Sequence, residues 1–253
     1  MKRTKASEQI VRLPHELPAG KLQITMSHAL TSAAQSLSLA EKRVMMYAVA
    51  KLDTFKFDGG VNDGRVKLTA HEYAEQYGVD ANTAYDQLKE AGKAIFMRYI
   101  TFFEDSRFGP IENNVRWVSS AKYNKGEGSV TLRFTMEVAP HLLGLRNKFT
   151  TYKLAQASAL RSLYSWRLLE MLSQYKSVGV RQIPLAEFHH AMEAPKSYKT
   201  NFTETRRWVI EPAVKELCEK DGWLIEWTPI KTGRKVTDLR FEFKRDPQGS
   251  LDL

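Results

Sequence analysis

Two hydrophobic rhythms alternate along this chain, and their order repeats. In "SLSLAEKRVMMYAVAKLD" (36–53), Leu37, Val44, Met45, Ala48, Val49 and Leu52 recur at helical spacing, the three-and-four step that gathers apolar side chains on one face. Ser38 stands where a helix cap is needed, and Glu41 completes a capping box. "RVKLTAHEYAEQYG" (65–78) predicts a short strand, a cap at Thr69 and a helix that Gly78 stops. "DANTAYDQLKEAGKAIFMRYITFF" (80–103) predicts a second helix, capped near Asp80 or Asn82, that runs into a strand. "NNVRWVSSAKYN" and "SVTLRFTMEV" alternate on either side of "KGEG", which predicts an antiparallel hairpin. Helix, short strand, helix, turn, helix and hairpin is the order of a winged helix.

After "PHLLGLRNKFTTYKL" the order begins again. "SALRSLYSWRLLEMLSQYK" (158–176) reads as an amphipathic helix with Leu160, Tyr164, Leu168, Met171, Leu172 and Tyr175 on one face. "VRQIPLAEFHHAM" repeats the outline of "RVKLTAHEYAEQY": Leu68 answers to Ile183 and Tyr73 to Phe188, both 115 residues apart. "GWLIEWTPIKTGRKVTDLRFEF" then gives two alternating strands around "KTGRK", a second wing. A recurring order of elements is the mark of a repeat even where identity has decayed. The predicted fold is α+β, two tandem winged-helix domains of pseudo-repeat topology. The same pattern predicts a flexible basic arm over 1–21, the first domain over 22–143, a linker over 144–152, the second domain over 153–245 and a tail over 246–253.

The segment between the second domain's short strand and its wing carries the chemistry. In "NFTETRRWVIEPAVKEL" (201–217), Phe202, Val209, Ile210, Ala213 and Leu217 share one helical face, with Glu204, Arg207, Glu211 and Lys215 opposite. In a winged helix this element is the recognition helix, whose first residues enter the major groove. Thr203, Arg206 and Arg207 are therefore candidate DNA contacts, arginine being the usual bidentate partner of guanine. Arg206 falls on the core azimuth, near enough to the helix start to extend past the core. Pro212 lacks an N–H and crowds the carbonyl four residues back, so it kinks or interrupts the helix. The alternative reading makes Pro212 the first residue of a separate packed helix, with the arginines in a turn. Lys196, Ser197, Tyr198, Lys199, Thr200 and Asn201, in the turn before the helix, are candidate phosphate donors. Lys231, Thr232, Gly233, Arg234 and Lys235 sit at the wing tip. Such contacts position a protein on DNA, while helix residues specify sequence. Arg146 and Lys148 either bridge to the backbone or solvate the linker.

Charge sharpens that picture. The net charge is +9, and it is uneven. Residues 22–140 hold 14 Lys+Arg and 14 Asp+Glu, whereas 141–245 hold 19 against 11. A cationic half of this kind suits a polyanion such as duplex DNA, the other reading being a basic face kept for solubility. The single cysteine, Cys218, leaves no internal disulfide and suits a reducing cytoplasm. No stretch has the apolar length of a membrane span, and the basic start lacks the apolar run of a signal peptide.

At these residues the chain resembles the replication initiators of iteron-containing plasmids, the Rep initiator family. The likeness runs from about Leu30 to Phe243, through "SLSLAEKRVMMYAVAKLD", "AYDQLKEAGKAI", "GLRNKFTTYKL", "SLYSWRLLEMLSQYK", "YKTNFTETRRWVIEPAVKEL" and "KTGRKVTDLRFEF". The resemblance implies monomers that bind directly repeated iterons in a plasmid origin and help open it, with host replication proteins (an initiator ATPase, a replicative helicase) as partners. It also implies dimers, held largely through the first domain, that bind an inverted repeat and repress their own gene. Arg206 and Arg207 map onto the arginine-rich recognition helix of the family's second domain, though position 208 here is Trp. Lys89, Lys93 and Arg98 are candidates for a weaker first-domain contact, or for surface ion pairs with Asp86 and Glu90.

Two other classes share parts of this pattern. A dimeric winged-helix transcriptional regulator would have the same DNA-binding features, and only its target, a lone palindrome, would differ. A rolling-circle nicking enzyme needs a His-x-His metal pair. His189 and His190 are instead adjacent, and neighbours on a helix point about 100° apart. "HEYAE" (71–75) lacks the second histidine of a zinc-protease helix, and no phosphate-cradling G-x-x-x-x-G-K-[ST] occurs. The expectation is a DNA-binding protein without catalysis, metal or cofactor, which opens DNA through binding energy.

Overall fold

A computed structural model describes residues 22–52, 64–104, 106–143, 145 and 148–246. Its first elements are β1 (Gln23–Ser27), α1 (His28–Ser32) and α2 (Leu39–Lys51). The Ser38–Glu41 capping box forms as read: the Ser38 hydroxyl accepts from the Glu41 N–H, and the Glu41 carboxylate accepts from the Ser38 N–H at 2.9 Å. β2 (Arg65–Thr69), α3 (Ala70–Tyr77) and α4 (Ala81–Met97) follow. Thr69 and Glu72 make a second capping box, and Gly78 ends α3 at φ 64°, a left-handed conformation that costs glycine nothing. Leu30, Leu37 and Val44 are all buried in the core.

The hairpin region departs from its sequence pattern. β3 (Tyr99–Glu104) pairs with β4 (Ile111–Arg116), while β5 (Val118–Asn124) pairs with β6 (Ser129–Phe134). "NNVRWVSSAKYN" is therefore two strands, not one. The break is at Trp117, fully buried beside a fully buried Val118. The Trp117 indole N–H is drawn to the Gln35 carbonyl at 3.1 Å, which takes this residue out of the alternation of a half-exposed strand. β5 and β6 still form the expected wing, in a three-stranded sheet of order β2-β6-β5.

β7 (Phe149–Lys153) lies largely inside the stretch read as linker and returns to pair antiparallel with β1, Ile24 opposite Tyr152. The second unit then runs α5 (Leu154–Ser158), α6 (Leu163–Ser173), β8 (Val180–Pro184), α7 (Leu185–Ala191), α8 (Lys196–Thr200), α9 (Phe202–Thr205), a π-helical turn (Arg206–Ile210), α10 (Glu211–Asp221), β9 (Trp223–Thr232) and β10 (Lys235–Arg245). Its sheet, β8-β10-β9, has the topology of the first. Leu68 pairs with Val130 and Ile183 with Leu239, and Tyr73 and Phe188 are both buried beneath. The pseudo-repeat is thus structural.

α6 is not amphipathic as its pattern suggested. It is shorter, and its polar residues are buried with the rest: Ser165, Arg167 and Glu170 lie within the core. The reason is a buried polar network joining the opening helices of the two units. Glu170 takes Lys42 of α2 at 2.6 Å, Arg167 at 2.9 Å and the Tyr152 hydroxyl at 2.7 Å. Arg167 also donates to the Ala33 and Ala191 carbonyls, Lys42 to Gln35, and Trp166 to Tyr152. Burial pushes the Lys42 ammonium down to about 8, against the pull of Glu170. The Glu193 carboxylate accepts from the Gln35 and Ser36 N–H groups at 2.9 and 2.8 Å, a further tie between the units.

Candidate nucleic-acid interface

The recognition element of the second unit is a helix with one extra residue in it. Thr205, Arg206 and Ile210 all keep right-handed helical dihedrals, but the Glu211 N–H donates to the Arg206 carbonyl, five residues back. The cause is Pro212, at the start of α10. Its ring would crowd the Trp208 carbonyl, and it has no N–H to close the normal four-residue ring. A π turn widens the helix there and relieves both defects.

The inserted residue settles where Arg206 points. Each residue advances a helix by about 100°, so one extra residue rotates everything upstream by that angle. Thr205 thereby takes the core azimuth that the sequence pattern gave to Arg206. Thr205 is fully buried, and Arg206, Arg207 and Trp208 are exposed in a row ahead of buried Val209 and Ile210. The Thr205 hydroxyl donates to the Tyr198 carbonyl and meets His189 Nε2, both at 2.8 Å, which pins the helix start. Burial, helped by nearby Lys199, holds the His189 imidazole below its ordinary pKa.

The exposed triad is pre-ordered. Arg206 Nε–H donates to Glu211 Oε1 at 2.6 Å, the Trp208 indole N–H donates to Glu204 Oε2 at 2.7 Å, and the Arg207 guanidinium lies 4.9 Å from the centre of the Trp208 ring. The Arg206–Glu211 pair is half in solvent, with side chains 58% and 45% exposed. Exposed pairs of this kind contribute about 0–1 kcal/mol, so a guanine or phosphate can displace the carboxylate. Thr203 is exposed one turn earlier.

The stretch read as a turn before the helix is itself helical, as α8. Lys196, Ser197 and Lys199 are exposed on it, while Tyr198 is half-buried and supports the core. Thr200 donates to the Ser197 carbonyl, and Asn201 Oδ1 accepts from the Thr203 N–H as the cap of α9. Phe202 meets Trp227 of β9 edge to face, ring centres 6.4 Å apart, which ties the recognition helix to the wing strand. At the tip, Lys231 through Lys235 are all exposed, and Gly233 makes the turn at φ 63°.

The remaining candidates are dispersed. Lys148 is exposed with φ 52°, and its carbonyl accepts from the His28 N–H; Arg146 lies outside the described residues. In the first unit Lys93 pairs with Glu90 at 2.7 Å, and Lys89 is half-buried. Arg98 is committed to the fold, forming a bidentate pair with Glu41, both bonds 2.9 Å. His189 and His190 diverge, His189 to Thr205 and His190 to the ring of Phe103.

Two features go beyond the sequence. One is the setting of Trp208, which the sequence marks only as a departure from an arginine-rich helix. The other is the outer face of the first wing sheet, where cross-strand register aligns Arg65, Arg133 and Ser120 in one row and Lys67, Thr131 and Lys122 in the next. Four cations thus share one face, with the Lys67–Glu127 pair at its edge. Alternating basic residues in "RVKL", "SAKY" and "TLRF" carried that signal, but the register that aligns them is set only by pairing.

Comparison with known proteins agrees with this geometry. Residues 23–173 match the family model described as Initiator Replication protein, WH1, and residues 184–243 match Initiator Rep protein, WH2. The PI protein of Escherichia coli is 27% identical over 258 residues, covering 89% of this chain and 84% of that protein. An uncharacterized 27.6 kDa protein of Escherichia coli is 27% identical over 222 residues, covering 85% and 92%. Among solved structures, Pi initiator protein in complex with iteron DNA matches with a TM-score of 0.75 at 26% identity, covering 90% of this chain and 99% of that one. Two winged-helix units in tandem, with the WH1 model reaching through α6 and the WH2 model starting at the last residue of β8 and ending in β10, make this chain a member of the Initiator Replication protein family.

Proposed function

We propose that this protein is a plasmid replication initiator that binds directly repeated duplex sites at an origin. The observation that carries the reading is the π turn, which turns Arg206, Arg207 and Trp208 outward on a helix tied to a cationic wing. A similar fold is solved on iteron DNA, which supports the same class of target here. The second unit supplies sequence reading. The outer face of the first wing sheet, through Arg65, Lys67, Lys122 and Arg133, supplies phosphate contacts. No catalytic step is assigned: origin opening draws on binding energy and DNA deformation, with host replication proteins completing it in the cytoplasm. No helix among the described residues is long and apolar enough to cross a membrane.

Autorepression by a dimer is the second part of the proposal. Its support is the β3–β4 ribbon, where β4 pairs only with β3 among the described strands, and Phe108 and Ile111 are 94% and 52% exposed. An open strand edge flanked by exposed apolar groups suits pairing with a second copy.

The test is selection of bound duplexes from a random library at about 0.15 M salt, an ionic strength that screens weak backbone contacts. The winner is then rebound as one copy and as head-to-tail copies. Monomers filling tandem copies independently agree with an initiator. A strictly palindromic winner bound only by dimers identifies a transcriptional regulator instead.

A further inference from the structure

Trp208 is a large apolar side chain, 48% exposed, on the face of the helix turned to solvent. A lone exposed aromatic carries no meaning by itself, but this one is held from two sides. Glu204, one turn back, takes its indole N–H at 2.7 Å, and Arg207 lies over its ring at 4.9 Å. With the N–H occupied, the ring has no polar group left to offer. It presents an apolar edge beside the arginine best placed to read a base.

That chemistry selects a target. Base edges in the major groove carry hydrogen-bond donors and acceptors, with one apolar exception, the 5-methyl group of thymine. A ring with no free donor gains nothing from the other groups and loses by desolvating them. We propose that Trp208 is a specificity-determining residue that packs on a thymine 5-methyl group, next to the base pair addressed by Arg207. The inference rests on the reading of this helix as the recognition element. Trp208 has a second role on the same geometry: its ring holds the Arg207 guanidinium in place before DNA arrives, which reduces the ordering cost of that contact.

The test uses the full chain and the duplex it selects from a random library. Each thymine is replaced singly by deoxyuridine, which lacks only the methyl group, and Kd is measured for the wild type, Trp208→Ala and Trp208→Phe. The wild type is expected to lose about fourfold at one thymine, the factor that corresponds to burying one methyl at about 0.8 kcal/mol. Trp208→Ala is expected to bind the parent duplex more weakly and to ignore that replacement; Trp208→Phe keeps part of the sensitivity. Circular dichroism melting of both variants verifies their fold. Sensitivity that is absent everywhere, or that is unchanged in Trp208→Ala, overturns the proposal and leaves the arginine reading intact. Uniform weakening of Trp208→Ala on all duplexes assigns the ring to sugar–phosphate packing and also overturns it. If no duplex is enriched, the functional reading fails and takes this inference with it.

Discussion

At the scale of single residues, exposure separates the groups proposed to meet DNA from groups that hold the fold. Lys231 and Arg234 stand at an exposed tip, where a wing meets backbone and not base edges. Lys231→Ala or Arg234→Ala is expected to weaken every duplex alike and to lower the slope of log K against log salt by about one, the signature of one lost phosphate contact. Titration of the histidines tests the buried side of the same division. Burial holds His141, His189 and His190 below the ordinary imidazole value. The unfolded chain therefore binds more protons than the folded one as pH falls through about 6.5. Stability is expected to be full above that value and to decline between it and the lower folded values. Urea midpoints at pH 7.5 and 5.5 measure the decline, which His190→Gln should shrink.

At the scale of elements, the recognition helix depends on a residue that ordinarily damages helices. Pro212 is the reason for the π turn, and the π turn is the reason Arg206 faces outward. With Pro212→Ala the helix can close its normal ladder, which rotates the residues upstream of the turn by about 100° and sends Arg206 toward the core. The variant is expected to weaken DNA binding at least as much as Arg206→Ala, and its urea midpoint measures the gain of a regular ladder against the cost of turning Arg206 toward the core. Higher stability with full affinity would separate the π turn from function. This element also shows how far the sequence was legible. Caps at Ser38 and Thr69, the stop at Gly78 and both wings followed from local chemistry, because each needs only residues close in the chain. The interruption at Pro212 was legible too; the π form was not, since widening and kinking remove the same clash. Strands β1 and β7 are joined across more than a hundred residues, and such pairing leaves little local trace. Burial of Arg167 and Glu170 was unreadable for the same reason: their partners, Lys42 and Ala33, lie in the other unit.

At the scale of the whole molecule, one buried carboxylate sits between two buried cations at the junction of the units. Glu170 pairs with both Lys42 and Arg167 and screens their mutual repulsion. Glu170→Gln leaves those two cations facing each other and is expected to cost about 3–5 kcal/mol in urea unfolding, the range for an orphaned buried charge. Lys42→Met leaves the Arg167–Glu170 pair intact and removes an ammonium that burial already disfavours, so it should cost distinctly less. With the units held in this way, the proposed division of labour gives base reading to the helix of the second and the phosphate grip to the sheet face of the first. The most direct test measures Arg207→Ala and Lys122→Ala on the selected duplex and its single-base-pair variants, at two salt concentrations. Arg207→Ala is expected to lose about 1–3 kcal/mol and its preference at one base pair, while Lys122→Ala loses affinity uniformly and lowers the salt slope. If Arg207→Ala weakens all duplexes equally and Lys122→Ala alone relaxes a base preference, the first unit reads the sequence and the account is wrong.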